Sequence, residues 1–357
     1  ADLDTVLTMH AQGKLPAFSR LIQEGAYGRL VPLRPCAAAV TRTSLVTGML
    51  PYRHGVRTAE ARSVFGGGTW LGVVPPGIGF DVLLSPVLAR RTLGVSDRSV
   101  PALWEIATRM GGTGEAAGWD TDLDRPGPSW PGAVAPGPAW MADLLDPDVL
   151  RPGDAESRAL VAEIAAAAGA DEEVAEVMRR VEGQGGQGIA AFSFPGLDRV
   201  AHVFLRYARP AEFGNVTGRE IELYGPVLER YYRRVDGIVR AALQPGRRDT
   251  LVFVTSTHGI EPMALGFRIL KELTGGRPWS GVHDSGRGGF LLAHGPNVRR
   301  GHLFGKGSIT DVAPTALYAL GLPVARDSDG AILTGIFSEA YTASHPVTVI
   351  GTYGEPR

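Results

Sequence analysis

The chain has 357 residues, of which 44% are hydrophobic and 20% are charged, and its net charge is −1. This composition suits a globular core, and a near-neutral charge without a long basic run gives no reason to expect nucleic-acid binding. No apolar run of the sequence reaches the roughly 18 residues that a membrane span needs. The single cysteine, Cys36, excludes an intrachain disulfide, which fits the cytoplasm without excluding an exported protein.

The N-terminal part of the sequence predicts helices and one long irregular segment. Residues 4–24 and 41–49 have helical patterns, and a short helix is expected near residues 100–110. Residues 56–150 are otherwise rich in Gly, Pro and Trp, and we interpret them as an insertion that caps a site. An α/β domain normally opens with a buried strand, so we expect a first strand upstream of Ala1.

Strands and helices alternate in the C-terminal part. The Ala- and Glu-rich composition of residues 154–183 predicts a long helix. Apolar and β-branched runs of strand length, separated by helical patterns, follow it. The predicted strands are residues 188–194, 250–255 and 289–293, and the predicted helices are residues 219–243 and 308–320. This alternation predicts an α/β fold with a doubly wound, mostly parallel sheet and helices on both faces. We interpret residues 1–357 as a single domain of this kind.

Potential metal ligands lie beside the predicted strands of this part. Asp198 and His202 come just after the first of these strands, and their spacing of four places them on one face of a helix. His258 follows the second strand, and His283 precedes the third. Because ligands gather at the carboxyl ends of strands in such a sheet, we expect these side chains to meet. One carboxylate and several imidazoles suit zinc, although each residue taken alone is as consistent with a structural role.

A turn of small residues at positions 35–40 leads into the predicted helix at residues 41–49. Such a turn can cradle an anion, because the backbone N–H groups of the helix N-terminus point towards it. Arg42 could bind a phosphate there, and Thr41 could act as a nucleophile. The alternative interpretations are a surface arginine and a threonine that caps the helix.

Five segments together resemble the alkaline phosphatase superfamily, in its type I phosphodiesterase/nucleotide pyrophosphatase branch. The helix at residues 15–25 is similar to a family segment that reads LPNLARLxxEG, and residues 43–56 are similar to TSLLTGxxPxxHGI. Residues 194–202 contain the family's D-x-x-x-H spacing, residues 256–259 resemble SDHG, and residues 311–317 resemble DVAPTLL. The order and number of these segments make the resemblance specific.

The resemblance implies two metal ions, commonly zinc, and a Thr or Ser nucleophile. The residues at the first metal are Asp198, His202 and His283. At the second metal the sequence departs from the family, because the nucleophile position is Ala38 and the Asp of SDHG is Thr257. Of that second set only the imidazole of His258 remains in this sequence.

These features predict a metal-dependent hydrolase of phosphoesters, of phosphodiesterase or nucleotide pyrophosphatase type, that acts on a small phosphorylated substrate. One Zn²⁺ or Mn²⁺ ion at Asp198, His202 and His283 would polarise a phosphoryl oxygen and activate water. The alternative is a catalytically silent homologue that binds a phosphorylated ligand or a partner protein through the retained pocket. The sequence contains no signal for the oligomeric state.

Overall fold

The computed structural model describes residues 1–34, 36–58, 60–64, 88–119, 143–145, 155–182, 187–243, 249–266, 279–283 and 288–354. Much of the expected insertion at residues 56–150 lies outside the described residues, so its role as a cap stays a prediction. The expected short helix within that segment is present and spans Leu103–Arg109.

The described strands and helices alternate along the chain, as an α/β fold requires. The strands are β1 (Ala26–Val31), β2 (Glu60–Val64), β3 (Leu88–Thr92), β4 (Thr113–Ala117), β5 (Gly188–Phe192), β6 (Val252–His258), β7 (Glu261–Pro262), β8 (Gly281–Val282), β9 (Gly288–His294), β10 (His302–Ser308), β11 (Val324–Ala325) and β12 (Val349–Ile350). The α-helices are α1 (Leu3–Ala11), α2 (Pro16–Glu24), α3 (Ala38–Thr47), α4 (Pro51–His54), α5 (Leu103–Arg109), α6 (Ala155–Glu182), α7 (Gly196–Ala208), α8 (Gly218–Tyr224), α9 (Val227–Ala242), α10 (Val312–Ala319) and α11 (Glu339–Ser344).

The main sheet has the strand order β10-β1-β9-β6. β1 pairs with β10 in parallel, whereas β9 is antiparallel to both β1 and β6. Three of the four strands therefore run in one direction, and β9 runs against them. β4 and β5 form a further parallel pair. The predicted α/β class is confirmed, and the sheet is mixed rather than uniformly parallel.

Helices cover both faces of this sheet. The evidence is that successive side chains of β9 point to opposite faces and pack into two different apolar clusters. Phe290 and Leu292 pack into the cluster formed with α1, α2, α6, α7 and α9. Leu291, which points the other way, packs into the cluster formed with α3, α5 and α10. Each of these fully buried side chains contributes roughly 1.5–3 kcal/mol through the hydrophobic effect. The predicted arrangement with helices on both faces is thus present.

Two helices that the sequence predicts as continuous are interrupted in the structure. Gly13, with a φ of 69°, ends α1, and Pro16 begins α2, so the predicted helix at residues 4–24 is two helices. Pro226 separates α8 from α9 in the same way, because its nitrogen has no hydrogen to donate within a helix. The structure also contains β1 and β10, which the sequence patterns did not predict. No described helix combines the length and the apolar character that a membrane span requires.

A buried hydrogen bond joins α3 to α4. His54 Nδ1 accepts a hydrogen bond from the backbone N–H of Val56 at 3.1 Å, so the ring proton lies on Nε2. His54 Nε2 donates that proton to Ser44 Oγ at 2.8 Å. Burial lowers the pKa of His54 to about 4, although its own backbone and Asp329 oppose the shift. The neutral imidazole is therefore the form that the fold requires.

The pH dependence of stability tests this assignment of His54. Because its folded pKa is depressed, its contribution is complete above the unfolded value near 6.5 and is lost as the pH falls towards about 4. We expect wild type to be more stable than His54→Gln at pH 7, with a gap that narrows by up to about 3 kcal/mol by pH 4. Urea unfolding of both proteins across this range measures the gap. A gap that is independent of pH would contradict the assignment.

Candidate metal centre

Three segments bring the predicted ligands together at one end of the sheet. Asp198 lies in the first turn of α7, and His202 lies one turn later on the same face. His258 is the last residue of β6, and His283 follows β8 directly. α7 packs between α6 and α9 and also contacts β8, so the helix is fixed from several sides. All four predicted ligands therefore lie in one neighbourhood.

Asp198, His258 and His283 form the tightest group. One potential ligand atom from each lies within 4.8 Å of those of the other two. Asp198 Oδ1 is 3.1 Å from His283 Nε2, and the rings of His258 and His283 have centroids 3.8 Å apart. Atoms at such separations can share one ion of the size of zinc, whose ligand distances are about 2 Å. These three residues could therefore hold a metal ion.

His202 faces the same carboxylate from a greater distance. Its Nε2 atom lies 3.7 Å from Asp198 Oδ2, and its ring meets the ring of His283 edge-on with centroids 4.5 Å apart. The sequence predicted one ion at Asp198, His202 and His283. The tightest group in the structure has His258 in place of His202. The role of His202 as a direct ligand stays a prediction.

Backbone carbonyl groups orient two of the imidazole rings. His283 Nδ1 lies 2.6 Å from the carbonyl oxygen of Gly259, and His202 Nδ1 lies 2.7 Å from that of Gly281. Because a carbonyl oxygen only accepts, each Nδ1 must carry a proton and donate it. In the neutral ring the lone pair is then on Nε2, and both Nε2 atoms face Asp198. A hydrogen bond from the ring nitrogen that does not bind the metal commonly fixes the orientation of a metal-binding histidine.

The electrostatics of the group match a cation site. Burial would raise the pKa of Asp198, but the charges of His283 and His202 outweigh it and hold that pKa well below its usual range. Burial would lower the pKa of His283, but Asp198 and the Gly259 carbonyl raise it. Burial and the neighbouring His283 both lower the pKa of His258 well below its usual range. The Asp198 carboxylate thus favours a positive charge at this point, which either a proton on His283 or a metal cation can supply.

One buried nitrogen of this group, His258 Nδ1, makes no hydrogen bond among the described residues. His283 Nε2 has Asp198 Oδ1 beside it at 3.1 Å, the contact through which Asp198 raises the pKa of His283. A buried polar atom without a partner costs about 1–3 kcal/mol, so such atoms commonly mark a bound ion, a water or a catalytic role. A divalent cation held by one carboxylate and two imidazoles would give His258 Nδ1 a partner and would replace the proton between His283 and Asp198. The residues present therefore fit a metal ion.

Trp279 and Ser280 contact His202 and help to hold it in place. The sequence patterns did not indicate either residue as part of the site. The indole ring of Trp279 stacks on His202 with centroids 4.5 Å apart and an interplanar angle of 24°. Ser280 donates from its backbone N–H to the His202 carbonyl at 2.7 Å and from its hydroxyl to the same oxygen at 3.0 Å. These contacts connect α7 to the segment that carries His283. Stacking and main-chain contacts have no fixed residue pattern, so the sequence offered no signal for them.

The residues predicted on the nucleophile side lie on α3. Ala38 is the first residue of that helix, and Ala37 before it makes no side-chain cap. Thr41 is fully buried, and its hydroxyl donates to the carbonyls of Ala37 at 3.2 Å and Ala38 at 3.3 Å. Arg42 lies close enough to the buried Asp171 to lower the pKa of that carboxyl group. The catalytic roles of Thr41 and Arg42 stay predictions.

Comparisons with known proteins identify relatives of this arrangement. The sequence model of the type I phosphodiesterase / nucleotide pyrophosphatase family matches residues 5–297. A sequence comparison with curated proteins gives no match. A protein described as a sulfatase from Bacteroides thetaiotaomicron VPI-5482 superposes with a TM-score of 0.50 at 14% identity, covering 91% of this chain and 69% of that chain.

Two further solved structures are similar to the chain. Murine ectonucleotide pyrophosphatase / phosphodiesterase 5, in an inactive form in complex with AMP, has a TM-score of 0.49 at 13% identity and covers 91% of this chain and 94% of its own. The human protein of the same name has a TM-score of 0.48 at 13% identity, with 91% and 95% covered. At these identities the similarity concerns the fold. The sulfatase match, taken alone, agrees with the predicted α/β fold.

The effect of Asp198 on His283 can be measured without any metal. In the chelator-treated protein, Asp198→Asn removes the charge that raises the pKa of His283 and leaves the burial that lowers it. We expect that pKa to fall below the ordinary histidine value in an NMR titration of the imidazole resonances. The control Glu222→Gln, which removes an exposed carboxylate on α8, should leave the titration unchanged. An unaltered His283 titration in Asp198→Asn would show that the two groups are not coupled.

Proposed function

Because the chain belongs to the type I phosphodiesterase / nucleotide pyrophosphatase family, we propose that it is a metal-dependent hydrolase of phosphodiester or pyrophosphate bonds. The observation that carries this proposal is the convergence of Asp198, His258 and His283 around one point, with His258 buried and the other two largely covered. A site with one carboxylate and two imidazoles resembles catalytic zinc sites, which use three protein ligands and keep one position open. We propose a single Zn²⁺ or Mn²⁺ ion there, with His202 as a fourth ligand or as the partner of Asp198.

A divalent ion at this position would polarise a phosphoryl oxygen and lower the pKa of a water molecule towards neutrality. The chain's own residues prepare the site for it. Asp198 supplies a largely covered negative charge, and the Gly259 and Gly281 carbonyls hold His283 and His202 with Nε2 directed towards it. Burial of the group keeps bulk water away, which strengthens each electrostatic interaction.

Water, rather than a side chain, is the nucleophile in this proposal. Ala38, at the position that the family uses for its nucleophile, has no atom that could attack phosphorus. The Thr41 hydroxyl is buried and bonded within its own helix. Thr43 donates to the Ala39 carbonyl at 2.7 Å, and Ser44 is paired with His54 at 2.8 Å. A route through a covalent phosphoenzyme therefore has no evident residue on α3.

The start of α3 would contribute to substrate binding instead. The backbone N–H groups of Ala38, Ala39 and Val40 belong to the first turn, and no side chain of Ala37 caps them. Together with the positive end of the helix dipole, such groups stabilise a phosphoryl group. α3 also packs against β6, the strand that ends in His258. This supports a substrate placed between the helix terminus and the metal centre.

The second candidate function is ligand binding without turnover. The observation in its favour is the pair of departures on the nucleophile side, Ala38 and Thr257, which removes an attacking atom and a carboxylate. A silent homologue of this kind would bind a phosphorylated ligand through the retained centre. It predicts metal binding without hydrolysis, which separates it from the hydrolase by measurement.

Metal content and turnover together test the proposal. We expect the purified protein to bind about one Zn²⁺ per chain and to hydrolyse bis(p-nitrophenyl) phosphate above background with added Zn²⁺ or Mn²⁺. His283→Ala removes one ligand and should lower both metal affinity and kcat/KM on the order of 100-fold or more. The measurements are metal analysis after dialysis and the release of nitrophenolate.

A matched histidine variant serves as the control for this experiment. His294→Ala removes an imidazole whose partner is Glu24 and that lies outside the centre, so its metal content and turnover should equal those of wild type. One bound ion without turnover would favour the silent homologue. An enzyme whose activity survives His283→Ala would contradict the proposed site.

A further inference from the structure

A buried carboxylate on α6 caps the helix that carries the metal ligands. Asp171 Oδ1 accepts the backbone N–H of Gly196, the first residue of α7, at 2.9 Å. Pro195 at the preceding position makes no side-chain cap of its own. The first N–H groups of a helix have no partner within the helix, so an oxygen from elsewhere must accept from them. Asp171 thus replaces a local cap, only two residues before Asp198.

A tyrosine from a third helix holds the other oxygen of this carboxylate. The Tyr231 hydroxyl, on α9, donates to Asp171 Oδ2 at 2.8 Å. Asp171 and Tyr231 are both fully buried. Burial raises the pKa of Asp171 to about 6, and the hydrogen bonds from Gly196 and Tyr231 oppose that shift. With both oxygens used as acceptors, the carboxylate has a defined orientation between α6, α7 and α9.

The packing around Gly196 leaves no room for adjustment. A Cβ atom at position 196 would lie 1.9 Å from the Tyr231 hydroxyl and 2.5 Å from Asp171 Oδ2. It would also lie 2.7 Å from the carbonyl oxygen of Ala167 on α6. The backbone of α7 therefore rests directly on the Asp171 and Tyr231 pair. The first turn of α7, where Asp198 lies, thus has both side chains directly against its backbone.

Asp171 also interacts with the helix on the nucleophile side. Arg42 on α3 and Arg234 on α9 both act on the Asp171 carboxylate and lower its pKa. The carboxylate thus joins α6 to α7 and α9 by hydrogen bonds, and the charge of Arg42 on α3 acts on it from a further side. An ordinary core contact could be apolar, since a buried charge costs free energy unless it is well paired. A carboxylate at this position is explained if its hydrogen bond to the first N–H group of α7 is needed to hold that helix in place.

We propose that Asp171 and Tyr231 are positioning residues for the metal centre, which hold the first turn of α7 so that Asp198 faces His258 and His283. This inference rests on the proposed function, because it requires that these three residues bind a cation. Neither Asp171 nor Tyr231 would touch the ion. They would act through the backbone of Gly196 on the direction of the Asp198 carboxylate.

Two tyrosine variants that differ in one hydroxyl group test the inference. Tyr231→Phe keeps the ring and removes the hydrogen bond to Asp171. Tyr224→Phe is the matched control, because Tyr224 is also buried and its hydroxyl donates to Ser157 Oγ on α6 at 2.8 Å. We expect Tyr231→Phe to weaken Zn²⁺ binding about tenfold, as loss of an outer contact does in other metal sites. Tyr224→Phe should bind Zn²⁺ as wild type does.

Zn²⁺ affinity is measured by competition with a chromophoric chelator, and urea midpoints report the stability of each protein. A purely structural role would lower the midpoints of both variants and leave both affinities unchanged, which would overturn the inference. Asp171→Asn is the second variant, since it replaces one acceptor oxygen by a donor and should weaken Zn²⁺ binding more than Tyr231→Phe. Wild-type affinity in a folded Asp171→Asn protein would also overturn it.

The same experiment separates this inference from the proposed function. If wild type binds Zn²⁺ through His283 and hydrolyses the diester while Tyr231→Phe is unchanged, only the positioning role fails. If wild type binds no Zn²⁺, or binds it equally well after His283→Ala, the metal centre fails and the positioning role fails with it.

Discussion

The contact on which the site depends most is the approach of two oriented imidazoles to one largely covered carboxylate. His283 and His202 both donate from Nδ1 to backbone carbonyls, so their Nε2 atoms must face Asp198. Lone pairs directed at a carboxylate repel it unless a proton or a metal ion lies between them. Keeping this group together requires a fixed position of α7 relative to β8 and to the end of β6. The rest of the fold supplies that placement through apolar packing on both faces of the sheet.

The centre keeps its metal-binding residues on one side and lacks the family's nucleophile on the other. The metal side has a carboxylate, oriented rings and a buried nitrogen, His258 Nδ1, that makes no hydrogen bond among the described residues. On the nucleophile side, Ala38 has no attacking atom, and the Thr41 hydroxyl is used inside α3. This asymmetry is why the proposed chemistry relies on water and the helix terminus. The same asymmetry is the observation that favours the competing function, ligand binding without turnover.

The sequence predicted the parts of the site that depend on residue type. Asp198 and His202 at a spacing of four, with His258 after a β-branched strand, indicated a shared metal site, and the structure brings them together with His283. The parts that depend on the path of the backbone were not predictable. Carbonyl partners carry no residue signature, and the reversed direction of β9 is not encoded in its apolar pattern. β1 and β10 contain glycines and exposed positions, so their patterns are weak, although they form half of the main sheet.

The position of a bound ion tests the central claim most directly. A crystal of the Zn²⁺-loaded protein, measured at the zinc absorption edge, locates the metal by its anomalous signal without any assumption about activity. We predict a single strong peak within about 2.0–2.2 Å of Asp198 Oδ1 or Oδ2 and of one ring nitrogen from each of His258 and His283. A zinc peak elsewhere on the chain, with these three side chains outside its ligand shell, would contradict the account.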